Sequence, residues 1–135
     1  MDFSQINYFA VLAAALSTFV LGGLWYSPIL FGKAWMRVNN FSDVDVAAFS
    51  KARMFGWAFV FAIVMSLNLA MFLAAPGTNA TWGMAAGGLA GFGWVAMGVA
   101  IIGVFENRSW GYIAINGGYM IVAFVVMGAI LGAWR

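Results

Sequence analysis

The residues able to do chemistry in this chain are few, and they gather near the ends of long apolar stretches. Trp25, Tyr26 and Ser27 in "WYSP", Glu106 in "FENRS" and Asn116 and Tyr119 in "NGGY" supply an indole, two phenols, a hydroxyl, a carboxylate and a carboxamide. Glu106 has two readings: an interfacial ion pair of small energetic weight, or a charge at the mouth of a cavity that would suit a cation. Histidine and cysteine are both absent, which removes the commonest metal ligand and general base together with thiol nucleophiles, thiolate metal sites and disulfides. Asp43, Asp45 and Glu106 have no spacing typical of a catalytic carboxylate pair or a metal cluster. The expectation is a protein that is not an enzyme and carries neither metal nor cofactor.

Asn116 and Tyr119 stand three residues apart, so one helix face presents both. With Trp25, Tyr26, Ser27 and Glu106 they could surround a polar pocket that opens toward the cytosol. The competing reading is plain interhelical hydrogen bonding, averaging about 0.6 kcal/mol per bond in a membrane. Ser66 and Asn68 invite the same two readings at greater depth.

The elements that must position these groups follow from composition. Of 135 residues, 65% are apolar and 7% are charged, against roughly a quarter charged in an ordinary soluble domain. So few polar side chains cannot cover a water-soluble core, and lipid is the expected solvent. The net charge of +2 comes from six basic residues that form no stripe of the kind nucleic acid requires, so nucleic acid is not expected as a partner. No basic residue precedes the first apolar stretch, which therefore reads as a retained span and not as a secretory signal.

A bilayer core about 30 Å thick needs about 20 helical residues. Residues 6–26, 54–75, 82–105 and 111–133 supply four such stretches without a single Asp, Glu, Lys or Arg. The expected fold is all-α: residues 1–135 form one polytopic membrane domain, a bundle of four transmembrane helices with a short interfacial helix after the first. Lys33, Arg37, Lys51 and Arg53 lie between the first two spans and Arg108 between the last two, whereas "PGTNAT" carries no basic residue. Basic connections stay in the cytoplasm, so both termini are expected outside, in a bacterial inner membrane.

Pro28 biases Ser27 away from helical dihedrals and should end or kink the first span. Beyond it, "ILFGKAWMRV" places Lys33 and Arg37 one turn apart beside an apolar surface, a pattern for lying in the interface with both bases on lipid headgroups. Gly32 is expected to weaken that helix. Ser42 and Asp45 have the spacing of a capping box, so a helix should start near Asp43 and run on into lipid at about Met54.

Small residues recur four apart in every span: Ala10, Ala14, Thr18 and Gly22, then Ala58, Ala62, Ser66 and Ala70, then Gly83, Gly87 and Gly91, then Gly128 and Gly132. Such stripes let helices approach closely where the hydrophobic effect does not hold them together. The third span has further glycines on other sides, including Gly93 and Gly98, so a homo-oligomer is expected with this helix central or at the subunit contact. Both halves repeat an inward span, a connection and a return, which would fit a weak duplication of the parallel kind. Six of seven tryptophans fall at span ends, as in an aromatic belt. Trp94 lies mid-span, where it would pack beside the glycines or line a cavity.

"GGLWYSPILFGKAW", "FENRS" and "NGGYMIVAFVVMGAILGAW" together resemble the small, mostly bacterial four-span proteins catalogued as domain of unknown function 1761. The resemblance covers essentially the whole chain and rests chiefly on W-Y-S-P followed by F-G-x-x-W. It implies a four-helix integral membrane protein, no established activity, and the W-Y-S-P segment and the Asn116/Tyr119 face as the places to look. Related sequences carry histidines, one of them after the fourth-span tyrosine where this chain has Met120, so a proton relay or metal site built on them does not carry over.

Two functional expectations remain. One is binding or passive transport of a small amphipathic molecule or lipid through the cytosol-facing pocket; without an ionisable residue in mid-membrane, proton-coupled pumping is not expected. The other is a scaffold or accessory subunit that organises lipid or another membrane protein. The expected partners are membrane lipids and further copies of the chain.

Overall fold

Four stretches of the chain wind into helices long and apolar enough to cross a membrane: Tyr8–Trp25, Lys51–Phe72, Ala80–Phe105 and Trp110–Ala133. They are numbered here first to fourth. The computed structural model describes residues 3–135, so the opening Met1 and Asp2 lie outside the described residues. Each long helix starts at a side chain that accepts from its first turn. Asn7 takes the N–H groups of Phe9 and Ala10, Ser50 that of Arg53, Asn79 that of Trp82 and Ser109 that of Tyr112, at 3.0 to 3.3 Å. These bonds satisfy donors that lipid and neighbouring helices cannot reach.

The fourth helix is flanked by the first on one side and the third on the other, while the second packs mainly on the first. Each seam uses its small residues. Between third and fourth, a Cβ on Gly83 would run into the carbonyl of Gly128, and a Cβ on Gly128 into that of Gly83; Gly87 likewise lies against the Phe124 carbonyl. Between first and second, Ala10, Ala14, Ala15 and Thr18 are buried with Ala62, Ser66 and Ala70. The Ser66 hydroxyl donates to the Val11 carbonyl at 2.7 Å across that seam. Leu69, Leu73, Phe124, Met127 and Leu131 fill the space where these helices converge.

The helices differ from the expectations drawn from sequence at two places, Phe49 and Gly91–Ala96. The helix that starts at Asp43 does not continue into the second span. It stops at Ala48, Phe49 takes extended dihedrals (φ −68°, ψ 137°), and Ser50 caps a new helix from Lys51. The capping box itself is present, with Asp45 accepting from the Ser42 N–H at 2.8 Å and Ser42 from the Asp45 N–H at 3.1 Å. The third helix widens to π-helical winding over Gly91–Ala96, which lodges an extra residue in the turn where Gly91 meets Met120 and Phe124 of the fourth helix. Trp94, within that turn, takes the second of its two expected roles: it meets Phe72 of the second helix, centroids 5.9 Å apart, and with Phe72, Leu69 and Trp82 lines a cavity of about 350 Å³.

The interfacial helix forms over Gly32–Asn39 and ends at Asn40 in the left-handed conformation (φ 56°). Gly32 also has a role in the turn before that helix. A Cβ there would lie 2.6 Å from the Ser27 carbonyl carbon and 2.7 Å from the Tyr26 carbonyl oxygen. Its absence lets the chain turn back on itself, with the Leu30 and Gly32 N–H groups both donating to the Ser27 carbonyl. At the opposite end of the molecule, the guanidinium of Arg135 donates to the carbonyls of Leu73 and Ala75, closing the C-terminal end of the second helix. That end of a helix carries partial negative charge, which suits a cation.

Candidate functional site

At the basic end of the molecule the first and second helices stand apart, with a cavity of about 370 Å³ between them. Small-molecule sites commonly enclose roughly 300–1,000 Å³. The first helix contributes Thr18, Phe19, Gly22, Gly23 and Tyr26, and the second Lys51, Met54, Phe55, Ala58 and Ala62. Trp35 from the interfacial helix, Val46 and Phe49 from the short helix Asp43–Ala48 and its end, and Tyr119 from the fourth helix complete the lining. Phe19 holds the space open, because its ring meets Phe55 and Phe59 edge to face at 5.8 and 6.0 Å where small residues would have let the helices close.

Four of the lining rings join with Phe41, which is outside the lining, in a run of five in edge-to-face contact. Tyr119 meets Tyr26 at 5.4 Å, Tyr26 meets Trp35 at 5.9 Å, Trp35 meets Phe41 at 5.2 Å and Phe41 meets Phe49 at 5.1 Å. Each such pair contributes about 0.5–1.5 kcal/mol beyond its burial. The run ties the fourth helix, the first helix, the interfacial helix and the short helix into one frame around the cavity. Val38 reinforces it by lying over Gly111 at the start of the fourth helix.

The hydroxyl groups facing this space are already bonded within the protein. The Tyr26 hydroxyl donates to Oδ1 of Asn116 at 2.6 Å, and the Asn116 amide donates to the Tyr112 carbonyl at 3.0 Å, which fixes the orientation of the carboxamide. The Tyr119 hydroxyl donates to the Thr18 carbonyl at 3.1 Å, and the Thr18 hydroxyl to the Ala14 carbonyl at 3.3 Å. The interior of the cavity is therefore hydrocarbon, ring faces and oxygen lone pairs.

Of the six candidates read from sequence, Tyr26 and Tyr119 line the cavity and Asn116 stands behind them as the acceptor for Tyr26. Trp25 turns toward the fourth helix, where its indole N–H donates to the Ile115 carbonyl at 2.9 Å and its ring occupies the room left by Gly118. Ser27 donates to Leu24 within its own turn at 2.6 Å. Glu106 is exposed in the turn between third and fourth helices and pairs with Nε of Arg108 at 3.3 Å; it is not part of the lining. Asn107, left-handed at φ 55°, reverses the chain there and brings Arg108 back to Glu106. Lys33 and Arg37 are exposed on the interfacial helix, with no ion pair among the described residues. Among the described residues no three of His, Cys, Asp and Glu come together as a metal site would require.

Sequence reasoning missed the second-helix wall and Lys51. Met54, Phe55 and Ala58 look like any lipid-facing residues, and only the three-dimensional splay of the helices gives them a lining role. Lys51 carried a signal, being basic and next to the break at Ser50, but it was read only as a marker of orientation.

The family described as "Protein of unknown function (DUF1761)" matches residues 9–132 of the chain. No curated protein and no solved structure matches it.

Proposed function

The chain belongs to that family of unknown function, whose match spans nearly its whole length, and from this premise we propose that it binds a small amphipathic molecule or lipid in the cavity between its first two helices. In this reading it is a non-enzymatic protein of the bacterial inner membrane with both termini outside and the cavity mouth in the cytosol. Lys33 and Arg37 rest on lipid headgroups. Passive movement of the ligand between leaflet and cytosol would follow from a site open at the membrane surface.

The observation that carries the reading is the cavity itself, kept open by Phe19 against Phe55 and Phe59, apolar inside and bordered by charge at one end. A helical bundle that needed only stability would have closed that seam with small residues, as the same two helices do at Ala14 and Ser66. Gly23 provides the test, because it lines the cavity while a Cβ there meets nothing within 4 Å. Gly23→Leu should fill the space without disturbing the fold. Native mass spectrometry from membranes should find a retained amphipath on the wild type and on Gly56→Leu, which also faces open space outside the cavity, and none on Gly23→Leu. Equal retention by all three would remove the reading. Solute flux in liposomes then separates passage from binding alone.

A second reading, self-association or scaffolding, rests on different residues. Gly93 faces open space on the third helix, and Asn68 is exposed on the second with no side-chain hydrogen-bond partner among the described residues. A carboxamide facing lipid is costly and gains by bonding across to another helix, of a second copy or of another membrane protein. Mass measurement in mild detergent and in nanodiscs tests it: a wild-type oligomer that Asn68→Leu or Gly93→Leu dissociates supports this reading, and a wild-type monomer in both media opposes it.

A further inference from the structure

We infer that the cavity selects a single-chain amphipath with an anionic head, seated tail inward with the head against Lys51; the inference rests on the binding role proposed above.

Its basis is the distribution of free donors. An anion needs hydrogen-bond donors or positive charge, and in the interior the hydroxyls of Thr18, Tyr26 and Tyr119 have all committed their protons to protein oxygens. An anionic head placed there would meet only lone pairs and hydrocarbon, at a steep desolvation cost. Two lining side chains keep free donors, and both come from segments at the basic end. Lys51 uses one N–H on the Val46 carbonyl at 2.7 Å and retains its charge and two more. The Trp35 indole N–H has no partner among the described residues.

Lys51 is the only charged residue in the lining, and no carboxylate pairs with it among the described residues. The nearby carboxylates Asp43 and Asp45 are exposed in the first turn of the short helix, and among the described residues neither forms an ion pair with Lys51, Asp45 accepting instead from the Ser42 N–H. Lys51 is also the first residue of a 22-residue helix, so the positive end of that helix dipole adds to its own charge. A cationic head would be repelled here, and a zwitterionic one would gain little. The cavity volume of about 370 Å³ lies at the small end for ligand sites, which are roughly 300–1,000 Å³, and favours one acyl chain over two.

The test uses the full chain in nanodiscs of neutral lipid and four probes of equal chain length: a fatty acid, a lysophosphatidic acid, a lysophosphatidylcholine and an alkyltrimethylammonium. The two anions are expected to bind at least about tenfold more tightly than the other two, as a charge-assisted contact should. Preference for the fatty acid or for the monoacyl phosphate identifies which anion the mouth fits. Lys51→Gln should abolish the preference, Lys51→Arg should retain it, and Arg53→Gln, which changes the same charge two residues away outside the cavity, should leave it unaltered. A preference that survives Lys51→Gln, or falls equally with Arg53→Gln, overturns the assignment to Lys51. If all four heads bind alike and Gly23→Leu abolishes all of them, the head-group selectivity is wrong and the binding site stands. If Gly23→Leu leaves every probe bound, the binding role itself is wrong and the selectivity goes with it.

Discussion

The hydroxyl of Tyr26 donates to the side-chain oxygen of Asn116 at 2.6 Å, joining the end of the first helix to the first turns of the fourth across ninety residues of sequence. This bond joins two side chains, where Tyr119 and Trp25 bond across the same two helices to backbone carbonyls, and Asn116 is held for it by the Tyr112 carbonyl. Tyr26→Phe and Asn116→Leu should each destabilise the bundle by about 0.6 kcal/mol, and by no more than about 1.7 kcal/mol. Their effects should not add, because either change removes the same bond. A double-mutant cycle on unfolding in mixed micelles measures this.

The glycine seam of the third and fourth helices should be far less tolerant. Gly83→Ala and Gly128→Ala each push a methyl into the facing backbone carbonyl, where no side chain can rotate away, so the helices must separate at a cost of about 1–3 kcal/mol. Gly93→Ala meets nothing within 4 Å and should be neutral, or stabilising by up to about 1 kcal/mol through helix propensity. The same unfolding assay separates the two classes.

A third prediction concerns pH. The Ser42 N–H and hydroxyl together hold the exposed Asp45 carboxyl below its ordinary value. A lowered folded-state pKa means the capping contribution is fully present above the unfolded value, about 3.9, and is lost as pH falls through the folded one. The short helix Asp43–Ala48 should therefore be ordered at neutral pH and loosen only below about pH 4. Asp45→Asn should loosen it at neutral pH and remove the pH dependence. The amide resonances of Asp45 and Val46, followed in a pH titration, report both effects.

Arg135 should matter locally. Its bonds to the carbonyls of Leu73 and Ala75 cap the second helix, and Arg135→Ala should cost about 0.3–1 kcal/mol, less at high salt. Hydrogen exchange should show faster opening at Leu73 and Ala74, whose amides bond into that last turn, with the basic end unchanged. Equal acceleration throughout would mean that the contact has no local role.

Much of the fold was legible because its causes are local. Four uncharged stretches of bilayer length became four helices, and Ser42 with Asp45 formed the cap their spacing suggests. The W-Y-S-P turn closed the first helix at Trp25. What stayed hidden depends on neighbours distant in sequence. The break at Phe49 is made by two competing caps, Ser42 behind it and Ser50 ahead, and the wide turn at Gly91–Ala96 by the fit against the fourth helix. Half of the candidate site was legible for the same reason. Tyr26, Asn116 and Tyr119 stand out as polar residues in apolar helices, whereas Phe19, Phe55 and Ala58 are ordinary membrane residues until the splay of two helices makes them a lining. Glu106 drew attention by its charge, and its neighbour Arg108 answers for it.

The most direct measurement is photolabelling with a fatty acid that carries a diazirine in its chain, followed by mapping of the modified residues. Label is predicted to concentrate on Phe19, Phe55, Ala58 and Tyr119 and to disappear from them in Gly23→Leu. Label spread evenly over outward-facing residues such as Val20, Val64 and Ile101, and unchanged by Gly23→Leu, would contradict a binding cavity between the first two helices.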